Sequence, residues 1–308
     1  MFGIITYALG FLLIALVAGN NLSVCFGSVI ASRVIRRRTG VILTMIGYAA
    51  GLLLQGGLLG HTISVLLPSG GEAAIDIALC ISIAIFVVSQ IKSIPQSLSI
   101  TLTAVLVGID AAASTALKLD FIVYVVAFWV LMPIVCAIFV LALMRLLRKK
   151  AVTRHVWGYV GWIKLILIVS SFFVAFTLGG NTIGLVVELM SSGSNYATVT
   201  TIAIMAIIIG AVAFNSGPLK RVGNEIIPMR YLNAASAQII SALMVEIATL
   251  YGIPLSNTQT FVASVYGAGV SYRQRLIRRH PFFTMISMWI ATAFIALASG
   301  YIVMYALG

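Results

Sequence analysis

Much of the chain consists of apolar stretches that are long enough to cross a lipid bilayer. A transmembrane helix needs about 20 predominantly apolar residues, and several stretches of this 308-residue chain reach that length. Hydrophobic residues make up 61% of the sequence and charged residues only 8%, whereas soluble domains carry roughly 25% charged residues. The short alternating strands of a membrane barrel are not seen. The sequence therefore predicts an all-α polytopic membrane protein.

Basic residues lie in short clusters between these stretches, at 33–38, 145–154, 218–230 and 273–279. In a soluble protein, a net charge of +12 would suggest a nucleic-acid partner. Clusters that flank membrane spans are better explained by their retention on the cytoplasmic side, so no nucleic-acid partner is expected. With every cluster inside, both termini fall outside, and we expect a multi-pass protein of the plasma membrane.

The sequence offers no cofactor or metal site. Cys25, Cys80 and Cys136 lie in apolar stretches without the spacing of metal ligands. No His, Asp or Glu constellation at membrane depth supplies the nucleophile and base that an enzyme would need. We therefore expect no cofactor, no metal and no enzymatic activity.

Two segments, 94–101 and 253–260, share the pattern Ile-Pro-x-Ser-x-[Ser/Thr]-x-Thr. Each continues into a Val-containing helical pattern and reaches a glycine thirteen residues after its proline, at Gly108 and Gly267. A single proline beside serine in a membrane span is usually only a kink. Two matched copies indicate instead that both breaks belong to a site.

A second pair of landmarks lies upstream of each proline motif. Asn20, in Gly19-Asn20-Asn21, precedes Pro95 by 75 residues, and Asn181, in Gly179-Gly180-Asn181, precedes Pro254 by 73. We expect each of these polar groups to interrupt its helix. The common offset of about 160 residues predicts two repeats of five segments each, at 1–150 and 151–308. Since five is odd, the second repeat must have inverted topology, as in many secondary transporters.

The predicted segments extend over the whole chain. Those of the first repeat are 2–32, 40–59, 73–93, the proline segment to about 116, and 121–147, with a loop at 60–71; those of the second are 157–191, 196–214, 234–251, the proline segment to about 270, and 282–307. Each proline motif either lies between two crossing helices or forms the tip of a re-entrant hairpin. Hydroxyls beside a break fit better with two hairpin tips that meet near the midplane.

Broken backbone survives at membrane depth only where it lines a cavity or is buried in protein. A break exposes helix N-termini, whose free N–H groups and positive dipole ends attract anions, and nearby hydroxyls and amides add further donors. This arrangement suits a small oxyanion. The candidate binding residues are Asn20, Asn21, Ser97, Ser99, Asn181, Thr182, Ser256, Asn257 and Thr258.

The segments 18–28 and 179–185 are similar to a Gly-Ala-Asn-Asp-x-x-Asn motif, and 254–259 and, more weakly, 95–100 to a Pro-Val-Ser-Thr-Thr-His motif. On these four segments the chain resembles the inorganic phosphate transporter (PiT) family, which includes sodium- and proton-coupled phosphate carriers and sulfate permeases. The resemblance implies inverted repeats, anion transport between them, and a homodimer.

The chain departs from that family at its acidic positions. The motif aspartate is replaced by Asn21 and Thr182, and two expected glutamates by Tyr48 and Gln238. Neutral side chains still suit an anion, but neutral oxygens alone are weaker ligands for a hard cation such as Na⁺. Coupling to H⁺ is therefore favoured over coupling to Na⁺.

Three residues are candidates for a role in coupling. Glu246 lies eight residues before Pro254, and an ionisable residue at membrane depth often serves in proton transfer. Gln238 takes a position where the family has a glutamate. Lys92, three residues before Pro95, is either an interfacial lysine or a cation that faces the anion.

The sequence thus predicts a secondary transporter of inorganic phosphate that works by alternating access and is embedded in the lipid bilayer. A sulfate permease of the same family is the alternative, because sulfate needs donors only. A passive anion channel with the same donors is an alternative of another class.

Overall fold

The computed structural model describes residues 3–67, 71–91, 96–113, 117–150, 156–214, 231–271 and 279–307. Every element in these ranges is helical, which confirms the predicted fold class. The elements in chain order are α1 (Ile4–Ala31), α2 (Arg37–Gln55), a 3₁₀ turn (Gly56–Leu59), α3 (Gly60–Leu66), α4 (Glu72–Ile91), α5 (Leu98–Ala112), α6 (Leu119–Lys150), α7 (Val156–Leu178), a π turn (Gly179–Ile183), α8 (Gly184–Ser191), α9 (Tyr196–Ala213), α10 (Tyr231–Leu250), α11 (Asn257–Ser271) and α12 (Arg279–Leu307).

Within the described ranges, eight helical stretches are long and apolar enough to cross a membrane. They differ greatly in burial. The apolar part of α1 is 83% buried, whereas those of α6 and α12 are 17% and 11% buried. The first helix is therefore the centre of the bundle, and α6 and α12 lie at its periphery with most of their apolar surface facing outward.

The predicted interruption of the first span is wrong, because α1 runs as one helix through Gly19 and Asn20. Gly19 serves helix packing instead, since a Cβ there would lie 2.4 Å from the Cβ of Phe214 and 2.8 Å from the carbonyl oxygen of Gly210. At Gly179–Ile183 the chain also stays helical, but it widens into a π turn. Such turns occur often at functional sites.

The predicted loop at 60–71 is wrong over its first part, where the chain forms α3. The hydroxyl of Thr62 on α3 donates a hydrogen bond to the carbonyl of Gly252. Gly252 has a positive φ of 69°, a conformation that glycine adopts without steric cost, and it ends α10 before the second proline motif. A long-range contact of this kind leaves no local pattern in the sequence.

The helices that follow the two proline motifs begin deep inside the bundle. Helices α5 and α11 contain 15 residues each and are therefore about 22 Å long, which is short of the ~30 Å hydrocarbon thickness. The backbone N–H of Gln96 donates to Asn20, which lies well inside α1. Short helices that start at such depth favour the hairpin alternative over two crossing helices.

The two halves of the chain show matched elements. Helices α4 and α5 recur as α10 and α11 with the same lengths, in the same order. Helix α5 packs against α12, and α11 packs against α6. Both contacts are close at the glycines that follow the prolines: a Cβ on Gly108 would lie 2.2 Å from the Leu297 carbonyl oxygen, and one on Gly267 would lie 2.2 Å from that of Ala137. These pairs support the predicted duplication, while the inverted orientation stays a prediction.

The close contact at Gly267 yields a stability prediction. Gly267→Ala should lower the free energy of unfolding by about 1–3 kcal/mol, because the added methyl group must push α11 away from the backbone of α6. The measurement is thermal unfolding of the purified protein in detergent.

Gly161→Ala on α7 is the matched control, since nothing lies within 4 Å of a Cβ there. It should leave the melting temperature unchanged or raise it, because alanine is the better helix former. Equal melting temperatures for Gly267→Ala and the wild type would contradict the packing described here.

Candidate functional site

The two proline breaks meet in the interior of the bundle. The hydroxyl of Ser99, in the first turn of α5, donates to the carbonyl oxygen of Leu255, just before α11, over 3.3 Å. The N-termini of α5 and α11 therefore lie next to each other, although 156 residues separate the bonded residues. Their free N–H groups and dipoles make this region electropositive without any formal charge.

Asn181, in the π turn, holds the second break in place. Its Oδ1 accepts the N–H of Leu255 over 3.0 Å, and its Nδ2 donates to the carbonyl of Ile253 over 2.9 Å and to the hydroxyl of Thr249 over 3.0 Å. A single amide thus pairs with the backbone on both sides of Pro254. These contacts replace the helical hydrogen bonds that the break removes.

Asn20 makes the matching contacts at the first break. Its Oδ1 accepts the N–H of Gln96 over 3.3 Å, and its Nδ2 donates to Oε1 of Gln90 over 3.0 Å. In both halves the asparagine therefore binds the N–H of the residue that directly follows the proline. We call Asn20 and Asn181 the clamp asparagines.

Two serines cap the helices that begin at the breaks. Oγ of Ser97 accepts the N–H of Ile100 over 3.4 Å, and Oγ of Ser256 accepts the N–H of Gln259 over 3.2 Å. Serine is a favoured N-cap because its oxygen pairs with one of the free N–H groups of the first turn. The two serines therefore position α5 and α11.

Asn257 has the most unsatisfied side chain at the meeting point. It exposes 4% of its surface, and neither its Oδ1 nor its Nδ2 has a hydrogen-bond partner in the described part of the chain. Next to it, the Thr258 hydroxyl donates to Oδ1 of Asn21 over 3.3 Å. Unpaired buried amides are costly, so this asparagine is suited to a ligand that accepts from its N–H₂ group.

The structure thus brings together the segments that carry the predicted binding residues, and it buries all of them. None of the nine exposes more than 4% of its surface: Asn20, Asn21, Ser97, Ser99, Asn181, Thr182, Ser256, Asn257 and Thr258. Their roles differ. The clamp asparagines and the two serines support the backbone, whereas Asn257 has free polar atoms.

The three coupling candidates have different surroundings. Gln238 donates to the carbonyl of Cys25 over 2.7 Å and to Ser28 over 3.1 Å, and it accepts from Ser170 over 3.1 Å and Ser171 over 2.7 Å. Its polar atoms are therefore satisfied by protein contacts that join α1, α7 and α10. Lys92 lies outside the described residues.

Glu246 is partly buried near the C-terminal end of α10. Its Oε1 accepts a hydrogen bond from Nε2 of Gln55, while its Oε2 is buried without a partner. Among the described residues, no group of three or more His, Cys, Asp or Glu is arranged to hold a metal ion.

Several supporting residues were missed by the sequence analysis. Gln90 and Thr249 orient the two clamp asparagines, and the indole N–H of Trp129 donates to the Pro254 carbonyl over 2.8 Å. Gln55 contacts Glu246. Each is a lone polar or amphipathic residue in an apolar helix, and only its position in the bundle distinguishes it from a packing residue.

A comparison with protein families decides the family membership. Residues 17–300 match the family described as the phosphate transporter family. The chain belongs to this family. Because the match covers nearly the whole chain, the resemblance inferred from the four motif segments is confirmed.

Individual relatives align with this chain over most of its length. This chain is 27% identical to a protein named as a phosphate permease of Methanocaldococcus jannaschii, over 96% of this chain and 94% of that protein. It is 24% identical to the sulfate permease of Bacillus subtilis, over 92% of this chain and 81% of that protein. Both anions thus occur in the names of its relatives.

A solved structure shares the fold. The structure of a sodium-dependent phosphate transporter superposes with a TM-score of 0.87 at 15% sequence identity, over 99% of this chain and 98% of that one. At this level of identity the likeness shows the architecture alone.

The clamp at the second break yields a prediction for this family member. Asn181→Ala leaves the Ile253 carbonyl and the Leu255 N–H unpaired, and should lower the free energy of unfolding by about 2–5 kcal/mol, since each orphaned group costs about 1–3 kcal/mol. Amide hydrogen exchange across 252–258 should become faster.

Asn195→Ala provides a matched control. Asn195 is an exposed N-cap that accepts the N–H of Ala197 over 2.8 Å, and its loss should cost only about 1 kcal/mol. Unchanged exchange across 252–258 in Asn181→Ala would show that the asparagine does not hold the break.

Proposed function

We propose that this protein is a secondary transporter that moves inorganic phosphate across the membrane by alternating access, coupled to a cation, with H⁺ favoured over Na⁺. The observation that carries the proposal is the unpaired amide of Asn257, buried where the N-termini of α5 and α11 meet. A phosphate oxygen would accept from this amide and from the free N–H groups of the first helical turns.

The chemistry of the site favours an anion over a cation. The nine candidate residues are all neutral, and their amides, hydroxyls and nearby helix N-termini supply hydrogen-bond donors. Metal cations such as Mg²⁺ and Ca²⁺ prefer carboxylate and carbonyl ligands, which these side chains offer only in part. Neutral donors in a region of low dielectric constant bind an oxyanion through charge-assisted hydrogen bonds.

The pattern of contacts fits movement of one half against the other. Each break is attached to the clamp asparagine of its own half. Trp129 of the first half also donates to the Pro254 carbonyl over 2.8 Å, so α6 would move together with the second break. Two further hydrogen bonds cross between the halves at the meeting point, from Ser99 to Leu255 and from Thr258 to Asn21, and both are 3.3 Å long. Few and long hydrogen bonds of this kind would let the N-termini of α5 and α11 separate and admit the anion from one side at a time.

Sulfate transport is the second candidate function. Sulfate is a dianion at neutral pH and needs donors only, whereas monohydrogen or dihydrogen phosphate also donates a proton. The candidate residues include no carboxylate that would accept it, and a sulfate permease is among the relatives. The phosphate transporter family and the phosphate permease relative favour phosphate.

The remaining features of the proposal follow from the charge pattern and the family. The protein lies in the plasma membrane with both termini outside, in two inverted repeats at 1–150 and 151–308. The expected partners are the oxyanion, the coupling ion, the lipid bilayer and a second copy of the chain in a homodimer.

The proposal is tested by uptake into liposomes that contain the purified protein. Labelled phosphate and labelled sulfate are offered separately, each under an inward H⁺ gradient and under an inward Na⁺ gradient. Phosphate should accumulate under the H⁺ gradient, and unlabelled phosphate inside should stimulate entry of the label. If neither anion enters the liposomes under either gradient, the transport function is refuted. If the label enters but unlabelled anion inside does not stimulate its entry, the protein is a channel.

Asn257→Ala gives a test at the level of one residue. It should raise the KM for the transported anion at least about tenfold, because one charge-assisted hydrogen bond contributes about 1.5–3 kcal/mol. The melting temperature should not fall, since the Asn257 side chain makes no hydrogen bond to the described residues. Both quantities are measured on the same purified variant.

Thr103→Val is the control for this change. Thr103 lies on α5, is 3% exposed and also has an unpartnered hydroxyl, but it lies beyond the first turn. The KM of Thr103→Val should equal that of the wild type. An unchanged KM in Asn257→Ala would remove this amide from the binding site.

A further inference from the structure

A second polar site lies beside the π turn, where α2, α10 and the π turn come together. Nε2 of Gln55, the last residue of α2, donates to Oε1 of Glu246 on α10. The two oxygens that remain, Oε1 of Gln55 and Oε2 of Glu246, are both buried and both lack a hydrogen-bond partner among the described residues. We call these two residues the acid–amide pair.

Two buried acceptors without a donor are unfavourable, and more so when one belongs to a carboxylate in a membrane span. A single proton bound to Oε2 of Glu246 would give both unpaired oxygens a hydrogen-bond partner. It neutralises the carboxylate, and the new O–H can donate to Oε1 of Gln55 while Nε2 of Gln55 continues to donate to Oε1 of Glu246. A metal cation at the same place would need several further oxygen ligands.

We propose that Glu246 and Gln55 form the proton-binding site through which proton movement is coupled to anion transport. This inference rests on the transport function proposed above. The proton would enter from the outer solution, bind to Oε2 of Glu246, and leave from the same oxygen to the inner solution after the conformational change. Neither step makes or breaks any bond other than the O–H bond.

No other charged group among the described residues forms a hydrogen bond or an ion pair with Glu246. Lys164 on α7 lies over the ring of Tyr231, at the opposite end of α10. Glu188 on α8 lies against the 3₁₀ turn and the start of α3, since its Oε1 is 3.7 Å from a Cβ on Gly57 and its Oε2 is 2.8 Å from one on Gly60. The hydroxyl of Tyr196 on α9 is 3.1 Å from a Cβ on Gly56, the residue after Gln55. The other titratable side chains described on α2, on α10 and on the helices that pack against them are Tyr7, Cys25, Arg37, Arg38, Tyr48, Asp120, Tyr124, Cys136, Arg145, Tyr231 and Tyr266.

The acid–amide pair is connected to the anion site by direct contacts. The side chain of Gln55 lies beside Gly180, since a Cβ on Gly180 would be 3.0 Å from both Cβ and Oε1 of Gln55. Gly180 directly precedes the clamp residue Asn181. On the other side, Thr249 lies one helical turn after Glu246 and binds Asn181. A change in the charge of Glu246 therefore acts on both sides of the residue that holds the second break.

The test compares Glu246→Gln with the wild type in liposomes. Glutamine copies the shape and neutrality of protonated glutamate, so the protein should still exchange labelled for unlabelled anion across the membrane. It has no proton to release, and accumulation driven by an inward H⁺ gradient should fall at least about tenfold. Glu188→Gln is the matched control, because it changes another partly buried carboxyl without touching Gln55, and it should accumulate the anion like the wild type.

Gln55→Leu tests the pair without altering the carboxyl. It should change the pH dependence of uptake, because the carboxylate loses the donor Nε2 of Gln55 and the protonated acid loses the acceptor Oε1. An unchanged pH profile in Gln55→Leu, H⁺-driven accumulation in Glu246→Gln, or loss of exchange in a folded Glu246→Gln protein would each overturn the inference.

Two results in the wild-type protein separate this inference from the proposed function. Accumulation that requires Na⁺ and ignores the H⁺ gradient would overturn the proton site while leaving anion transport intact. Absence of transport of either anion under every gradient would refute the transport function itself.

Discussion

The bilayer supplies no hydrogen bonds, and this constraint governs the centre of the molecule. Helices α5 and α11 begin inside the bundle, so the backbone groups at their starts must find partners within the protein. One buried asparagine in each half supplies them, through the N–H of Gln96 in the first half and that of Leu255 in the second. The positions of α5 and α11, and hence the meeting of their N-termini, depend on these two amides.

The glycines serve the same arrangement. An asparagine reaches a break only if its helix lies close to its neighbours, and glycines allow such close contacts, as where Gly19 meets α9 and Gly179 meets the carbonyl of Tyr48. Such contacts allow helix backbones to approach closely in a membrane, where packing and interhelical hydrogen bonds replace the hydrophobic effect as the cause of association. Small residues and buried amides therefore act together.

The site that results is neutral. Its attraction for an anion comes from helix dipoles and N–H groups that are fixed before the anion arrives, so little reorganisation is needed on binding. The ionisable group lies outside the nine candidate residues, in the acid–amide pair beside the π turn. In the proposed mechanism, the first site binds the substrate and the acid–amide pair responds to protons.

Some of this could be predicted from the sequence. The structure brings together the segments marked by the repeated motifs around Pro95 and Pro254 and by the matched Asn20 and Asn181. Buried polar side chains in apolar helices raise the free energy of the folded state unless they form hydrogen bonds, so such residues tend to lie together. The continuity of α1 could not be predicted, since a Gly-Asn pair occurs both where a helix is interrupted and where two helices pack closely. Gln55 was missed because a lone glutamine in an apolar helix acquires its role only from the partner opposite it.

The central claim is that a tetrahedral oxyanion binds between the N-termini of α5 and α11. An experimentally determined structure with selenate or arsenate bound, located by the anomalous signal of the heavier atom, tests it most directly. We expect a single strong peak within hydrogen-bond distance of the Asn257 amide and of the first-turn N–H groups. A peak elsewhere in the bundle, with this position empty at concentrations that saturate transport, would contradict it.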